Sequence, residues 1–171
     1  MRLNFGLAAL AATLVAATPA VAATSSSATA TAKGVVLQPL TLSWVSDLNF
    51  GTVAGSSAAG NVAVDPDSGL RSSGGGVTLV PSTFSRAEFD GLGQAGQTVG
   101  IVLTPPAGNV LVGPGGATVA VTSMTLDAAG TTRVLPASGA FTVYVGGNFG
   151  IAANQANGTY SALFQVTANY Q

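Results

Sequence analysis

Histidine and cysteine are both missing from this 171-residue sequence. Their absence excludes a His-based catalytic triad, a thiolate nucleophile, a His/Cys site for zinc or copper, and a disulfide bond. Charge is also scarce, because only 6% of the residues are Asp, Glu, Lys or Arg, against about 25% in an ordinary soluble domain. The formal net charge of -1 gives no electrostatic footprint for nucleic acid. We therefore expect no cofactor, no nucleic-acid partner, and a surface built from Ser, Thr, Asn, Gln and Gly.

Residues 1–22 have the order of features that is typical of a secretory signal peptide. Arg2 supplies the positive charge, an apolar run follows as far as Ala17, Pro19 ends it, and residues 20–22 are small enough for cleavage. The run is short and Ala-rich for a segment that must cross about 30 Å of hydrocarbon, so we expect no transmembrane anchor in the mature chain. We predict a protein that is exported to the periplasm, the cell surface or the extracellular space.

The rest of the sequence predicts an all-β fold, an antiparallel β-sandwich. Short stretches rich in Val, Thr, Leu and Phe alternate with clusters of Gly, Pro, Asn and Ser, which is the strand-and-turn pattern of such a fold. A helical period over three turns is missing, and residues 85–89 could form at most one helical turn, so parallel βαβ units are excluded. Strands are predicted at residues 35–44, 48–53, 61–64, 76–80, 98–104, 118–126, 140–145 and 159–170.

These strands predict a single sandwich domain at residues 35–171. Residues 23–34 are polar and of low complexity, which predicts a flexible N-terminal extension. The large aromatic residues predict the core of the sandwich rather than a ligand platform. These core candidates are Trp44, Phe50, Phe84, Phe89, Phe141, Phe149 and Phe164.

The last predicted strand has the most regular pattern. Apolar residues occupy every second position, and the residues between them are polar apart from Leu163. Since successive side chains of a strand point to opposite faces, this pattern predicts burial from one side only, as in an antiparallel sandwich. The apolar face comprises Tyr160, Ala162, Phe164, Val166, Ala168 and Tyr170.

Two sets of residues resemble known bacterial proteins. Gly158, the fourteenth residue from the end, together with the alternating strand after it and the penultimate Tyr170, resembles the C-terminal signature of chaperone–usher pilins. The order of five short motifs is similar to the secreted bacterial family called domain of unknown function 4402. These motifs lie at residues 39–42, 47–53, 74–79, 87–89 and 158–160.

The pilin resemblance implies an immunoglobulin-like sandwich that lacks its last strand. A neighbour's N-terminal extension would fill the open groove as an added strand, held by main-chain hydrogen bonds. The resemblance also implies that a periplasmic chaperone reads the edge of the terminal strand, and that the chain associates with itself or with related subunits. The edge residues concerned are Gly158, Tyr160, Phe164, Val166 and Tyr170.

The extension contains a candidate donor strand. Small or apolar residues recur there at every second position, which would let them insert alternately into a groove. The same stretch is also consistent with a disordered linker of Ala, Ser and Thr. The donor candidates are Ala28, Ala30, Ala32, Gly34 and Val36.

The carboxylates do not predict a catalytic or metal site. Residues 65–69, Asp-Pro-Asp-Ser-Gly, lack the further ligands of a calcium loop and predict a turn. Glu88 and Asp90 would share one face of a strand, and with Arg86 close by they predict an exposed charge cluster. The serines have no histidine to act as a base, so we expect no enzymatic activity.

The sequence therefore predicts an exported structural protein, a pilin-like subunit that assembles by β-strand addition at the bacterial surface. The alternative is a secreted, monomeric binding module for glycan or matrix with a closed sandwich. Oligomeric state and the presence of an aromatic-lined groove in a monomer distinguish the two.

Overall fold

The computed structural model describes residues 25–171, and the signal peptide predicted at 1–22 lies outside the described residues. The chain divides into two compact units, Met1–Val35 and Val36–Gln171. In the first unit, residues 25–35 have exposed side chains and form no helix or strand. All strands of the described chain belong to the second unit. Within residues 25–171, no helix has the length and apolar character needed to cross a membrane.

The second unit is built from twelve strands and two single turns of 3-10 helix. All strand pairs among the described residues are antiparallel. The 3-10 turns are Ala107–Asn109 and Pro114–Gly116. The strands are β1 (Thr41–Ser46), β2 (Val53–Ala54), β3 (Gly60–Val64), β4 (Arg71–Gly75), β5 (Thr78–Leu79), β6 (Ala87–Leu92), β7 (Thr98–Thr104), β8 (Val110–Val112), β9 (Thr118–Leu126), β10 (Thr132–Val134), β11 (Ala140–Ile151) and β12 (Gln165–Tyr170).

Seven strands form a large sheet organised around β11. Because β11 is twelve residues long, it pairs first with β6 and then with β3 along one edge, while β9 pairs with its other edge. The sheet continues from β6 to β1, from β3 to β4, and from β9 to β8. A separate two-stranded ribbon is formed by β2 and β5.

A small sheet with the order β10-β7-β12 packs on one part of the large sheet. There Val99 and Ile101 of β7 contact Val143 and Val145 of β11, and these side chains are at most 2% exposed. A second cluster, which contains no residue of the small sheet, lies farther along β11. Its buried members are Val62, Val77, Val119, Phe149 and Ile151.

The predicted all-β, antiparallel fold is confirmed, and β7 and β9 have the predicted bounds. β11 continues six residues beyond the predicted end at Val145. The sequence of this continuation is Gly-Gly-Asn-Phe-Gly-Ile, which is typical of a turn when it stands alone. Pairing with β3 on one side and β9 on the other keeps it in the sheet.

Several other strand predictions were wrong. Of residues 85–89, where at most a helical turn was expected, 87–89 belong to β6, because β1 and β11 pair with both of its edges. Residues 35–40 and 48–52 lie outside the strands. β4 was not predicted because Arg-Ser-Ser-Gly-Gly lacks the β-branched residues that favour strands, yet it pairs with β3 through all five residues.

Candidate assembly groove

The last strand has one paired edge and one open edge. β12 pairs with β7 through all six of its residues and stands at the end of the small sheet. The preceding residues, 159–164, continue its alternation of half-buried and exposed side chains. In the described chain, their one bridge joins Ser161 to Val112, with both N···O distances at 3.0 Å. The predicted strand at 159–170 is therefore a strand only from Gln165, since a single bridge to the end of β8 does not make its first half a strand.

Residues 159–164 form part of one wall of an open groove of about 1270 Å³. Residues 46–57, from the end of β1 through β2, supply many of the other residues that line the groove. No residue of β7, β10 or β12 lines the groove, so it lies beyond the part of the large sheet that the small sheet covers. Its apolar floor includes Val119, Val121, Met124, Phe149 and Ile151.

Trp44 stands at the rim of this groove. It lies opposite Phe89 in the pairing of β1 with β6, and it shares the inner-facing parity of Leu42. Even so, 63% of its surface is exposed, because no second layer covers this part of the sheet. The prediction that Trp44 belongs to the core was wrong for that reason, and Phe84, which is 41% exposed, was also wrongly placed there.

Asp47 is the one charged residue among those that line the groove. Its side chain is exposed, and its Oδ1 accepts a hydrogen bond from Nε1 of Trp44 at 3.0 Å. The rim thus carries one negative charge next to an exposed aromatic surface.

Three of the predicted edge residues line the groove: Gly158, Tyr160 and Phe164. Phe164 packs edge-on against Phe89, with 6.1 Å between the ring centroids. The Tyr160 hydroxyl donates to the carbonyl of Ala156 at 2.6 Å and accepts from Nε2 of Gln155 at 2.8 Å. Defined contacts therefore hold both aromatic rings along the wall of the groove.

Val166 and Tyr170 lie elsewhere, packed against the core between the two sheets. The Tyr170 hydroxyl donates to the carbonyl of Gln38 at 2.8 Å and accepts from the backbone N–H of Gln94 at 2.6 Å. This contact ties the chain that leads into β1 to the end of β12. Of the predicted edge residues, Val166 and Tyr170 therefore belong to the core alone, whereas Phe164 lines the groove and also packs against this core.

Gly158, the remaining edge residue, meets a backbone requirement. Its φ is +146°, a conformation that side-chain-bearing residues rarely adopt. A Cβ placed there would also collide with the ring of Pro114. Glycine at this position lets the backbone pass close to Pro114, in the second 3-10 turn, before it continues into residues 159–164.

The donor candidates are exposed in the structure. Ala28, Ala30, Ala32 and Gly34 belong to the first unit, and Val36, which is 96% exposed, begins the second. None of them lies in a strand. Their donor role stays a prediction.

Residues 65–69 form the turn between β3 and β4. Oδ1 of Asp65 accepts hydrogen bonds from the backbone N–H and the hydroxyl of Ser68, both at 2.7 Å, and from the N–H of Asp67 at 3.1 Å. The bonds from Ser68 are the main reason why the pKa of Asp65 is lowered. Among residues 25–171, no cluster of three or more acidic residues could hold a metal ion.

Glu88 and Asp90 lie on the face of β6 opposite Ala87 and Phe89, outside the groove. Asp90 Oδ1 accepts a hydrogen bond from the Thr142 hydroxyl at 2.7 Å. Both residues were expected to cluster with Arg86. The guanidinium of Arg86 instead lies 3.4 Å from the centre of the Tyr144 ring and forms no ion pair with either carboxylate.

One buried ion pair was not predicted. Nη2 of Arg133 lies 2.7 Å from Oδ1 of Asp127, and both side chains are 9% exposed. Oδ2 of Asp127 also accepts from the N–H of Tyr144 at 2.8 Å. In the sequence, the feature that could have indicated this pair is that Asp127 and Arg133 flank the turn at Gly130.

The structure thus defines an all-β protein of two packed antiparallel sheets with an open apolar groove beside its last strand. Residues 40–170 match the family model described as "Domain of unknown function (DUF4402)", and the chain belongs to that family, as its motifs predicted. No curated protein and no solved structure matches the chain. The resemblance to pilins stays a prediction.

Proposed function

We propose that this protein is an exported structural subunit that assembles at the bacterial surface by β-strand addition. Residues 1–22 would direct export and be removed. The working parts would be main-chain edges rather than reactive side chains, and we propose no catalytic role for any residue. A periplasmic chaperone would hold the same edge before assembly.

The observation that carries the proposal is the open groove beside residues 159–164. A strand that enters a sheet forms main-chain hydrogen bonds with an unpaired edge and places alternate side chains in pockets. Residues 159–164 offer such an edge, since one bridge is their only strand-like pairing within the described chain. The half-buried members of the apolar floor, Val121 and Met124, offer surface that alternate side chains could cover.

The low charge of the chain also supports assembly. Burying an ionised group costs free energy unless it is paired and hydrogen-bonded. Among the groove-lining residues only Asp47 is charged, and it lies at the exposed rim. An added strand could therefore cover the floor without burying a charge.

Deletion of residues 24–33 tests strand donation. The mature chain, residues 24–171, should assemble, and the chain without residues 24–33 should stay monomeric by mass photometry and electron microscopy. Residues 25–33 lie outside the strands, so circular dichroism should report a folded domain in both cases. Assembly that is unaffected by the deletion would contradict donation from this segment.

A groove-filling substitution tests the acceptor site. Ala162 lines the groove, so Ala162→Trp should occupy part of it and block assembly. Thr167→Trp is the matched control, because Thr167 is exposed on the opposite face of the same terminal run. Equal assembly of the two variants would place the acceptor elsewhere.

A second candidate function is a secreted monomeric binding module for glycan or matrix. The exposed indole of Trp44 favours it, together with the polar side chains of Asn49, Asn154 and Asn157 in the same groove, since ligand sites combine aromatic surface with a few polar groups. Glycan-array binding by a protein that remains monomeric would support this function over assembly.

A further inference from the structure

The extension carries the single lysine of the sequence, Lys33. The three arginines of the described chain all bind within their own domain. Nη2 of Arg71 donates to the Val80 carbonyl at 2.9 Å, Arg86 donates to the Pro66 carbonyl at 2.8 Å, and Arg133 pairs with Asp127. Lys33 is exposed and has no hydrogen bond or ion pair among residues 25–171. It is therefore the basic group that remains available to a partner.

The groove presents one charge of the opposite sign. Asp47 is the only charged residue that lines it, and the exposed carboxylate is already oriented by Nε1 of Trp44 at 3.0 Å. Only one of its two oxygens takes part in that bond. The other oxygen is available to an incoming cation.

We propose that Lys33 of one copy pairs with Asp47 of the next copy and thereby sets the register of the inserted segment. This inference rests on the proposed strand addition and adds the occupant of the groove and its position. The occupant is residues 28–36 of a second copy of this chain.

Alternation along the inserted strand agrees with this register. When Ala32 and Gly34 face the floor, Lys33 points away from it and can reach the rim where Asp47 lies. A shift by one residue would turn Lys33 into the apolar floor, where an unpaired charge is costly. Only registers that keep Lys33 outward are compatible with the groove.

The length of the segment also agrees. Nine residues from Ala28 to Val36 in extended conformation span about 30 Å, and the six unpaired residues 159–164 span about 20 Å at the same rise per residue. The segment can therefore run along the whole unpaired edge and still place Lys33 beside the rim.

Zero-length cross-linking is a sharp test, because a carbodiimide joins an amine to a carboxylate and Lys33 is the only lysine. Assemblies are formed from an equal mixture of 15N-labelled and unlabelled mature chain, cross-linked and mapped by mass spectrometry. We expect a Lys33–Asp47 link between a labelled and an unlabelled peptide. Links from Lys33 to other carboxylates, or links confined to one isotopic form, would overturn the inference.

Charge exchange provides the second readout. Lys33→Glu and Asp47→Lys should each raise the concentration for half-maximal assembly by about fivefold, the upper range for one exposed pair, and the double variant should restore it. Asp47→Asn keeps an acceptor for the Trp44 indole and should have a smaller effect in the same direction. Asp90→Lys, outside the groove, is the control and should have none.

The two proposals fail in different ways. If the mature chain assembles but the charge variants behave like the wild type, the Lys33–Asp47 pairing is wrong and strand addition stands. If the mature chain never assembles at any concentration, strand addition is wrong and the pairing falls with it.

Discussion

The inner face of the large sheet has two halves that differ in what covers them. In the closed half, around Ala87, Val143 and Val145, the small sheet supplies a second layer and these side chains are fully buried. In the open half, around Phe149 and Ile151, the same strand β11 lines the groove, and residues outside the small sheet, such as Phe50, pack against this cluster instead. One strand therefore serves two environments: the small sheet covers one part of it, and irregular chain and short strands cover the other part beside the groove.

The terminal chain follows the same division. Residues 165–170 pair with β7 over the closed half, and residues 159–164 have one bridge over the open half. Both stretches alternate in exposure, and both alternate in sequence apart from the exposed Leu163. The alternation of apolar and polar residues indicates which way each side chain points. Whether the chain forms a strand of a sheet depends on the presence of a partner strand.

The largest effect should come from the ion pair beside the closed half. Asp127→Ala removes the partner of buried Arg133 and an acceptor for the Tyr144 N–H. We expect the free energy of unfolding to fall by about 3–5 kcal/mol, the usual cost of breaking a buried pair. Urea unfolding measures this change. Asp90→Ala, at an exposed site, should stay within about 0.5 kcal/mol of the wild type; equal losses would contradict the assignment.

Gly158 should have an intermediate effect at the entry to the open half. Gly158→Ala forces a side chain into a φ of +146° and against Pro114, and we expect a loss of about 1–3 kcal/mol. Gly55→Ala is the matched control, because a Cβ there meets only an ordinary contact, 3.5 Å from Ile151. Thermal unfolding of the two variants should separate them clearly, and a stable Gly158→Ala would refute the backbone requirement.

Trp44 should have a small effect on the isolated domain. Because 63% of its surface is exposed, Trp44→Ala should change the free energy of unfolding by about 0.5 kcal/mol or less. Phe149→Ala, in the groove floor and 8% exposed, should cost about 3–5 kcal/mol. Denaturant unfolding of the monomer compares them, and a large loss for Trp44→Ala would mean that the rim is part of the core.

The smallest effect should be the acid sensitivity of the β3–β4 turn. The folded pKa of Asp65 is below its ordinary value of 3.8, so its ionised form stabilises the fold above that pH. This stability should be lost as the pH falls through 3.8 towards the lower folded pKa. Asp65→Asn should flatten this part of the stability-against-pH curve, measured by urea midpoints, and Ser68→Ala should flatten it partly. If the pH dependence of stability in this range were unchanged in Asp65→Asn, Asp65 would not be its cause.

The elements that the sequence predicted well are those whose pattern is complete within a single strand. β7 has Val99, Ile101 and Leu103 at alternate positions, and both of its predicted ends agree with the structure. β6 was not placed, because Glu88, Asp90 and Gly91 interrupt its apolar pattern. Its strand conformation comes from partners on both edges, which a local reading of the sequence does not contain.

The groove could be predicted only in part. The alternation at residues 160–170 correctly indicated which side chains point inward. It did not indicate that Tyr160 and Phe164 border an open space as well as packing against the core clusters, while Val166 packs against the core alone. That difference depends on where the small sheet ends. The exposure of Trp44 has the same cause, because the small sheet does not extend over its inner-facing position.

The Tyr170 hydroxyl has a mechanical consequence. It joins the Gln38 carbonyl to the Gln94 N–H, so a pull on the chain before Gln38 is transmitted at once to the final residues of β12. The load then acts on the six-residue ladder between β12 and β7 as well as on the pairing of β1. In an assembly of the kind we propose, tension on the chain before Gln38 would thus be shared between both sheets and would not act on the first strand alone.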